Sequence, residues 1–119
     1  MRVLLLVAFF LSLIVAGCGT TSKDTFYWGN YSTTLYDYKK NPDEKTLEAH
    51  KKELVSVMEI SEKKNKIVPP GVNAEYGYLL LKEGQENEGF AYMAKEIELY
   101  PESTVFITRI KDEYAKVKK

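Results

Sequence analysis

An all-α fold is predicted for this chain of 119 residues by three observations. Beyond residue 26, apolar side chains recur at spacings of three and four, the period of a helix with one buried face. No segment shows the alternation of a half-buried strand. Proline and glycine fall between the periodic segments, at Asn41-Pro42, Pro69-Pro70-Gly71, Gly84 and Pro101. Such residues punctuate helices rather than continue them.

Five helices follow from these signals. The first spans about Ser32 to Lys40. Asn41 offers N-cap chemistry, with Pro42 at the first helical position and Glu44 at the third, close to a capping box. The second helix then runs from Pro42 to about Lys63, with Leu47, His50, Leu54 and Met58 on one stripe. A loop covers Asn65 to Gly71. The third helix covers Val72 to Glu83 and stops at Gly84. The fourth covers Asn87 to Leu99, because the residue before Pro101 is driven out of the helical region. Ser103 can cap a fifth helix, with Phe106, Ile110, Tyr114 and Val117 on a common face. Its basic end, Lys116 to Lys119, suits the helix dipole.

The N-terminus has a different character. Arg2 precedes Val3 to Val15, an apolar run broken in polarity only by Ser12. A membrane-spanning helix needs about 20 such residues. The shorter run fits the h-region of a secretory signal peptide. Val15-Ala16-Gly17-Cys18 resembles the lipobox of bacterial lipoproteins. That resemblance implies cleavage before Cys18 and a diacylglycerol thioether on its sulfur. Two or three acyl chains would anchor the protein stably, at about 0.8 kcal/mol per buried methylene. Gly19 stands where an aspartate would mark retention in the inner membrane, so the same resemblance favours the outer membrane with the domain in the periplasm. The expected organisation is a signal peptide over 1–17, a lipidated cysteine and polar tether over 18–25, and a helical domain over 26–119.

Composition narrows the function. Seventeen basic residues balance 17 acidic ones, which argues against a nucleic-acid partner. The single cysteine excludes an internal disulfide, and one histidine leaves a zinc site of the usual kind short of ligands. No cofactor is expected beyond the lipid on Cys18. The glycines are scattered over helix ends and packing sites and form no phosphate-binding loop. Cys18 is consumed by its lipid and cannot act as a nucleophile. His50 and Ser56 are six apart and fall on different helix faces. The glutamates of the second helix alternate with lysines and read as a solvated face with pairs one turn apart. His50 itself is expected to be a partly buried helix residue. These features point away from an enzyme.

The two helix pairs resemble each other when shifted by about 43 residues: Leu35 meets Tyr78, Leu47 meets Phe90, Glu53 meets Glu96 and Leu54 meets Ile97. Repetition of a helical hairpin suggests a short solenoid. The second pair resembles a tetratricopeptide repeat. Tyr76-Gly77, Leu80, Gly89, Met93 and Pro101 stand at its large, small and closing positions, whereas Glu96 stands where that repeat prefers alanine. In that register the first helix of each pair lines a concave face, which would place Tyr31, Leu35 and Tyr38 beside Ala74, Tyr78 and Lys82. Nine tyrosines are present, and tyrosine is enriched at protein interfaces. Trp28 either caps the open end of the first hairpin, or is a partner anchor or an interfacial plug near the bilayer, where aromatic residues often sit.

Taken together, Tyr27-Trp28-Gly29-Asn30-Tyr31, Leu35 to Pro42, Pro69-Pro70-Gly71, Glu75-Tyr76-Gly77-Tyr78 and Leu99 to Ser103 resemble a family of small bacterial lipoproteins classed as a domain of unknown function. Its members are commonly encoded beside a lipoprotein similar to the curli secretion channel component. The resemblance implies a membrane-anchored partner of another envelope lipoprotein and brings no catalytic residues. The expected function is a lipid-anchored periplasmic protein-binding adaptor. The competing expectation is a structural lipoprotein that self-assembles as a homo-oligomer through uncapped solenoid ends.

Overall fold

A computed structural model describes Met1 and residues 24–118. Val15, Ala16, Gly17 and Cys18 lie outside the described residues, as does most of the expected tether. The described part is all-helical: α1 (Tyr31–Lys40), α2 (Glu44–Lys63), α3 (Val72–Lys82), α4 (Glu86–Leu99), a 3₁₀ turn (Pro101–Ser103) and α5 (Thr104–Val117). No strand occurs among the described residues. Helices α1 and α2 form one hairpin, α3 and α4 a second, and α2 packs on α3 to join them. No described helix is long and apolar enough to cross a membrane.

Helix α3 is the centre of this array. Val72, Asn73, Ala74, Gly77, Leu79, Leu80 and Leu81 are all buried. A helix apolar on most of its circumference must be covered on several sides, and α3 is. Val72 and Leu79 join Leu54 and Val57 of α2 in one cluster. Ala74 and Leu81 join Met93 of α4 and Ile107 of α5 in another. The first hairpin is held more loosely, since α1 has no fully buried residue.

Close approach of α3 to α4 depends on two glycines. A Cβ on Gly77 would lie 2.6 Å from the Gly89 carbonyl oxygen, and one on Gly89 would lie 2.8 Å from that of Gly77. The tetratricopeptide-like positions therefore do what the resemblance implies. Glu96, which departs from that pattern, has a role of its own. It is 2% exposed. Its Oε1 accepts the Gly71 N–H at 2.7 Å and its Oε2 accepts the Ala74 N–H at 3.3 Å. Gly71 is the N-cap of α3, left-handed at φ 91°, and makes no side-chain cap. A carboxylate from the neighbouring helix thus satisfies N–H groups that the cap residue leaves open. The first hairpin uses the same device: Glu53 Oε1 of α2 accepts the N–H of Asn30, the N-cap of α1, at 2.7 Å. The two carboxylates that match in the repeat each clamp the N-terminus of the preceding helix.

Three local expectations are corrected. Helix α2 begins at Glu44, and its N-cap is Asp43, whose side chain accepts the Thr46 N–H at 2.8 Å in a capping box. Asn41 instead offers its carbonyl to the Thr46 hydroxyl, and Pro42 precedes the helix. Ser103 makes no side-chain cap; its hydroxyl donates back to the Tyr100 carbonyl. On α5 the residue packed into the core is Ile107, with Ile110 and Tyr114 beside it, whereas Phe106 and Val117 are exposed.

Glu96→Ala is expected to lower unfolding stability by about 1–3 kcal/mol, because the buried Ala74 N–H and the more exposed Gly71 N–H lose their carboxylate acceptor. The counterpart Glu53→Ala, whose bond to Asn30 is solvent-exposed, should cost less than about 1 kcal/mol. Urea denaturation of both variants checks the ranking.

Candidate functional site

Behind the N-terminal half of α3, a chain of hydrogen bonds crosses three helices. His50 of α2, expected to be partly buried, has instead no exposed surface. Its Nδ1 shares a 2.8 Å hydrogen bond with Thr34 Oγ1 of α1, and its Nε2 lies 3.1 Å from Glu75 Oε1 of α3. Tyr31 of α1 donates its hydroxyl to Glu75 Oε2 at 2.7 Å. Burial opposes ionisation of Glu75, but the hydrogen bonds from His50 and Tyr31 outweigh it and hold the carboxyl below its ordinary pKa. Burial, and then the bond to Glu75, push the Tyr31 phenol well above its ordinary value.

An ionised carboxylate can only accept, so the proton between His50 and Glu75 belongs to Nε2. In a neutral ring Nδ1 is then an acceptor, and the single proton of the Thr34 hydroxyl is shared between Nδ1 and the Tyr31 carbonyl. The result is a hydroxyl–imidazole–carboxylate relay, an order of groups also used for nucleophile activation. Here the imidazole is wholly enclosed, with Tyr38 stacked on it at 6.2 Å and Tyr31 tilted against it at 5.5 Å. The Thr34 hydroxyl also lies 3.2 Å from the Tyr31 carbonyl within its own helix. The arrangement ties α1, α2 and α3 together and fixes Glu75.

The outward side of this network opens on a cleft of about 480 Å³ between α1, α3 and α5. Tyr31, Ala74, Glu75, Tyr78, Phe106, Ile110 and Glu113 line it. Tyr78 is 45% exposed and Phe106 59%. A second depression of about 570 Å³ lies between α2 and α4. It is different in kind, being lined by Lys66 and Lys95 together with Glu59, Glu62 and Glu98. Its charges are mixed, and Lys95 covers the Tyr92 ring at 4.5 Å.

Of the residues expected to face a partner, Tyr31 and Tyr78 meet in the first cleft. Trp28 sits beside Tyr31, with ring centroids 5.2 Å apart, and is 40% exposed. Lys82 Nζ lies 5.9 Å from the Tyr78 ring. Leu35 and Tyr38 are half-buried and do not line the cleft. Sequence reasoning missed Glu75, Phe106, Ile110 and Glu113 as cleft residues. Phe106 and Ile110 carry a signal, since both lie on the common face predicted for the fifth helix, but a shared face alone does not say whether it packs inward or lines a cleft. Among the described residues no group of three or more metal-ligating side chains occurs.

A family model described as a domain of unknown function, DUF4810, matches residues 25–110. No curated protein and no solved structure matches the chain. The family match begins just before the aromatic segment and ends within α5, so it takes in both hairpins and most of the cleft.

Tyr31→Phe should cost about 1 kcal/mol at neutral pH, as one hydrogen bond to a carboxylate is lost. The wild-type network has a defined pH dependence. Glu75 has a folded-state pKa below its unfolded one, so its contribution is complete above the unfolded value and is lost as pH falls through the folded value. Urea denaturation across the acid range should therefore show a stability loss on acidification that is smaller in Glu75→Gln.

Proposed function

We propose that this chain, which belongs to the DUF4810 family, is a non-catalytic protein-binding adaptor that docks a partner in the cleft between α1, α3 and α5. The observation that carries this reading is the exposure of Tyr78 and Phe106 on the walls of one concavity. Exposed aromatic side chains gathered in a concave site are the usual anchors of recognition, because they bring large contact area at low entropic cost. The cleft floor is held by the buried network through Glu75, so a partner meets a preformed surface.

In this proposal the protein is a lipoprotein. The signal-peptide pattern of residues 1–17 and the lipobox-like Val15-Ala16-Gly17-Cys18 support lipidation of Cys18, and Gly19 supports residence at the outer membrane facing the periplasm. The resemblance to small envelope lipoproteins makes a channel-like lipoprotein similar to the curli secretion component the favoured partner. Anchoring both proteins to one membrane raises their effective concentration, so a modest cleft suffices for a stable encounter. Val105 and Val117, exposed on the terminal helix, favour one competing reading, in which a second copy covers α5 and the protein assembles with itself.

Affinity purification from the native envelope after crosslinking tests the adaptor reading. Tyr78→Ala/Phe106→Ala should cut recovery of a co-purifying envelope lipoprotein about tenfold or more, as expected for the loss of two aromatic anchors. Cys18→Ser should abolish recovery by removing the shared anchor. Full recovery with the aromatic double variant would overturn docking in the cleft, and recovery of only the protein itself would favour self-assembly.

A further inference from the structure

The cleft is apolar on its walls but carries charge of one sign. Glu75 and Glu113 line it, and no lysine, arginine or histidine does. Glu75 is kept ionised by His50 and Tyr31, yet its side chain remains 27% exposed. Among the described residues, no lysine or arginine forms an ion pair with Glu75 or Glu113. Elsewhere on the described surface, Lys51 bridges Glu48 and Glu83, and Lys118 pairs with Glu86. A half-buried anion beside aromatic rings is poorly solvated on one side and gains most from a cation that arrives with apolar flanks. The face of Phe106 favours the same visitor, since aromatic faces attract cations, whereas the Tyr78 ring already has the chain's own Lys82 Nζ 5.9 Å from it.

We infer that the cleft selects a partner segment presenting a lysine or arginine to Glu75 and Glu113, flanked by apolar side chains that pack on Tyr78, Phe106 and Ile110. This inference rests on the cleft being the docking surface and adds the chemistry of what it takes. Charge complementarity sets which segments enter and how fast; the apolar walls hold them. An acidic or purely aliphatic segment of the same size is rejected, because Glu75 would be covered without a counter-charge.

Three small probes of one shape separate the parts of this claim: phenylbutylamine, phenylbutanol and phenylbutyrate. Each is titrated at millimolar concentration into the membrane-purified protein in nanodiscs, with methyl-labelled isoleucine and ring-labelled phenylalanine observed by NMR. The amine should shift Ile110 and Phe106 and bind roughly three- to tenfold more tightly than the alcohol, with the carboxylate weakest. Glu113→Gln removes a carboxylate that makes no ion pair among the described residues. It should reduce the preference for amine over alcohol by about two- to fivefold. Equal binding of amine and alcohol, or a preference indifferent to Glu113→Gln, overturns the cationic selectivity and leaves the apolar docking surface standing. Absence of shifts at Ile110 and Phe106 with all three probes overturns both.

Discussion

Helix α3 is buried over most of its surface, and the rest of the molecule is arranged to permit that. A helix with so little solvent contact needs neighbours on several sides. Gly77 and Gly89 let α4 approach backbone to backbone on one side. Leu54 and Val57 of α2 close another, and Ile107 of α5 a third. The N-terminus of α3 would still be left with open N–H groups, because Gly71 has no side chain to cap them. Glu96 reaches across from α4 to accept two of them. Packing and capping of α3 are thus supplied by the same neighbour, and loss of either disturbs both.

What α3 leaves outward is narrow: Lys82 is exposed, Tyr76 is half-buried, and half-buried Glu75 lies with exposed Tyr78 along the edge that faces the cleft. That edge becomes the floor of the cleft. Glu75 is fixed from behind by His50 and from the side by Tyr31, so its position depends on the first hairpin as well as the second. Helix α5 supplies the opposite wall, and there one register step matters. Ile107 enters the core, which frees Phe106, its neighbour in sequence, to stand in the cleft. The site is therefore a consequence of the hairpin array and not a loop added to it.

Much of the fold was legible because its signals are local. Helix ends at Gly84 and before Pro101, the small residues at Gly77 and Gly89, and the hairpin repeat all follow from composition and spacing. The failures are local conflicts or long-range contacts. Asn41 and Asp43 both have cap chemistry, and only the capping box with Thr46 decides between them. On α5 the faces centred on Phe106 and on Ile107 are both apolar, and packing against Met93 selects the second. Tyr38 lies in the expected array but stacks on His50, so most of its surface is hidden. The bond from Tyr31 to Glu75 joins residues 44 apart, and no spacing rule reaches that far. Glu96 looked like a departure from a repeat pattern, although its alignment with Glu53 was the one sequence sign of the shared clamp.

The functional account turns on whether partners meet the protein in this cleft. Site-specific photocrosslinking in the native envelope tests that most directly. A benzophenone side chain is placed at Phe106, within the cleft, and in a parallel strain at Tyr36, which is exposed on α1 outside it. The account predicts a discrete adduct with another envelope protein from position 106 and none from position 36. Adducts from position 36 alone, or of equal yield from both, would contradict it and move the partner-binding surface elsewhere on the array.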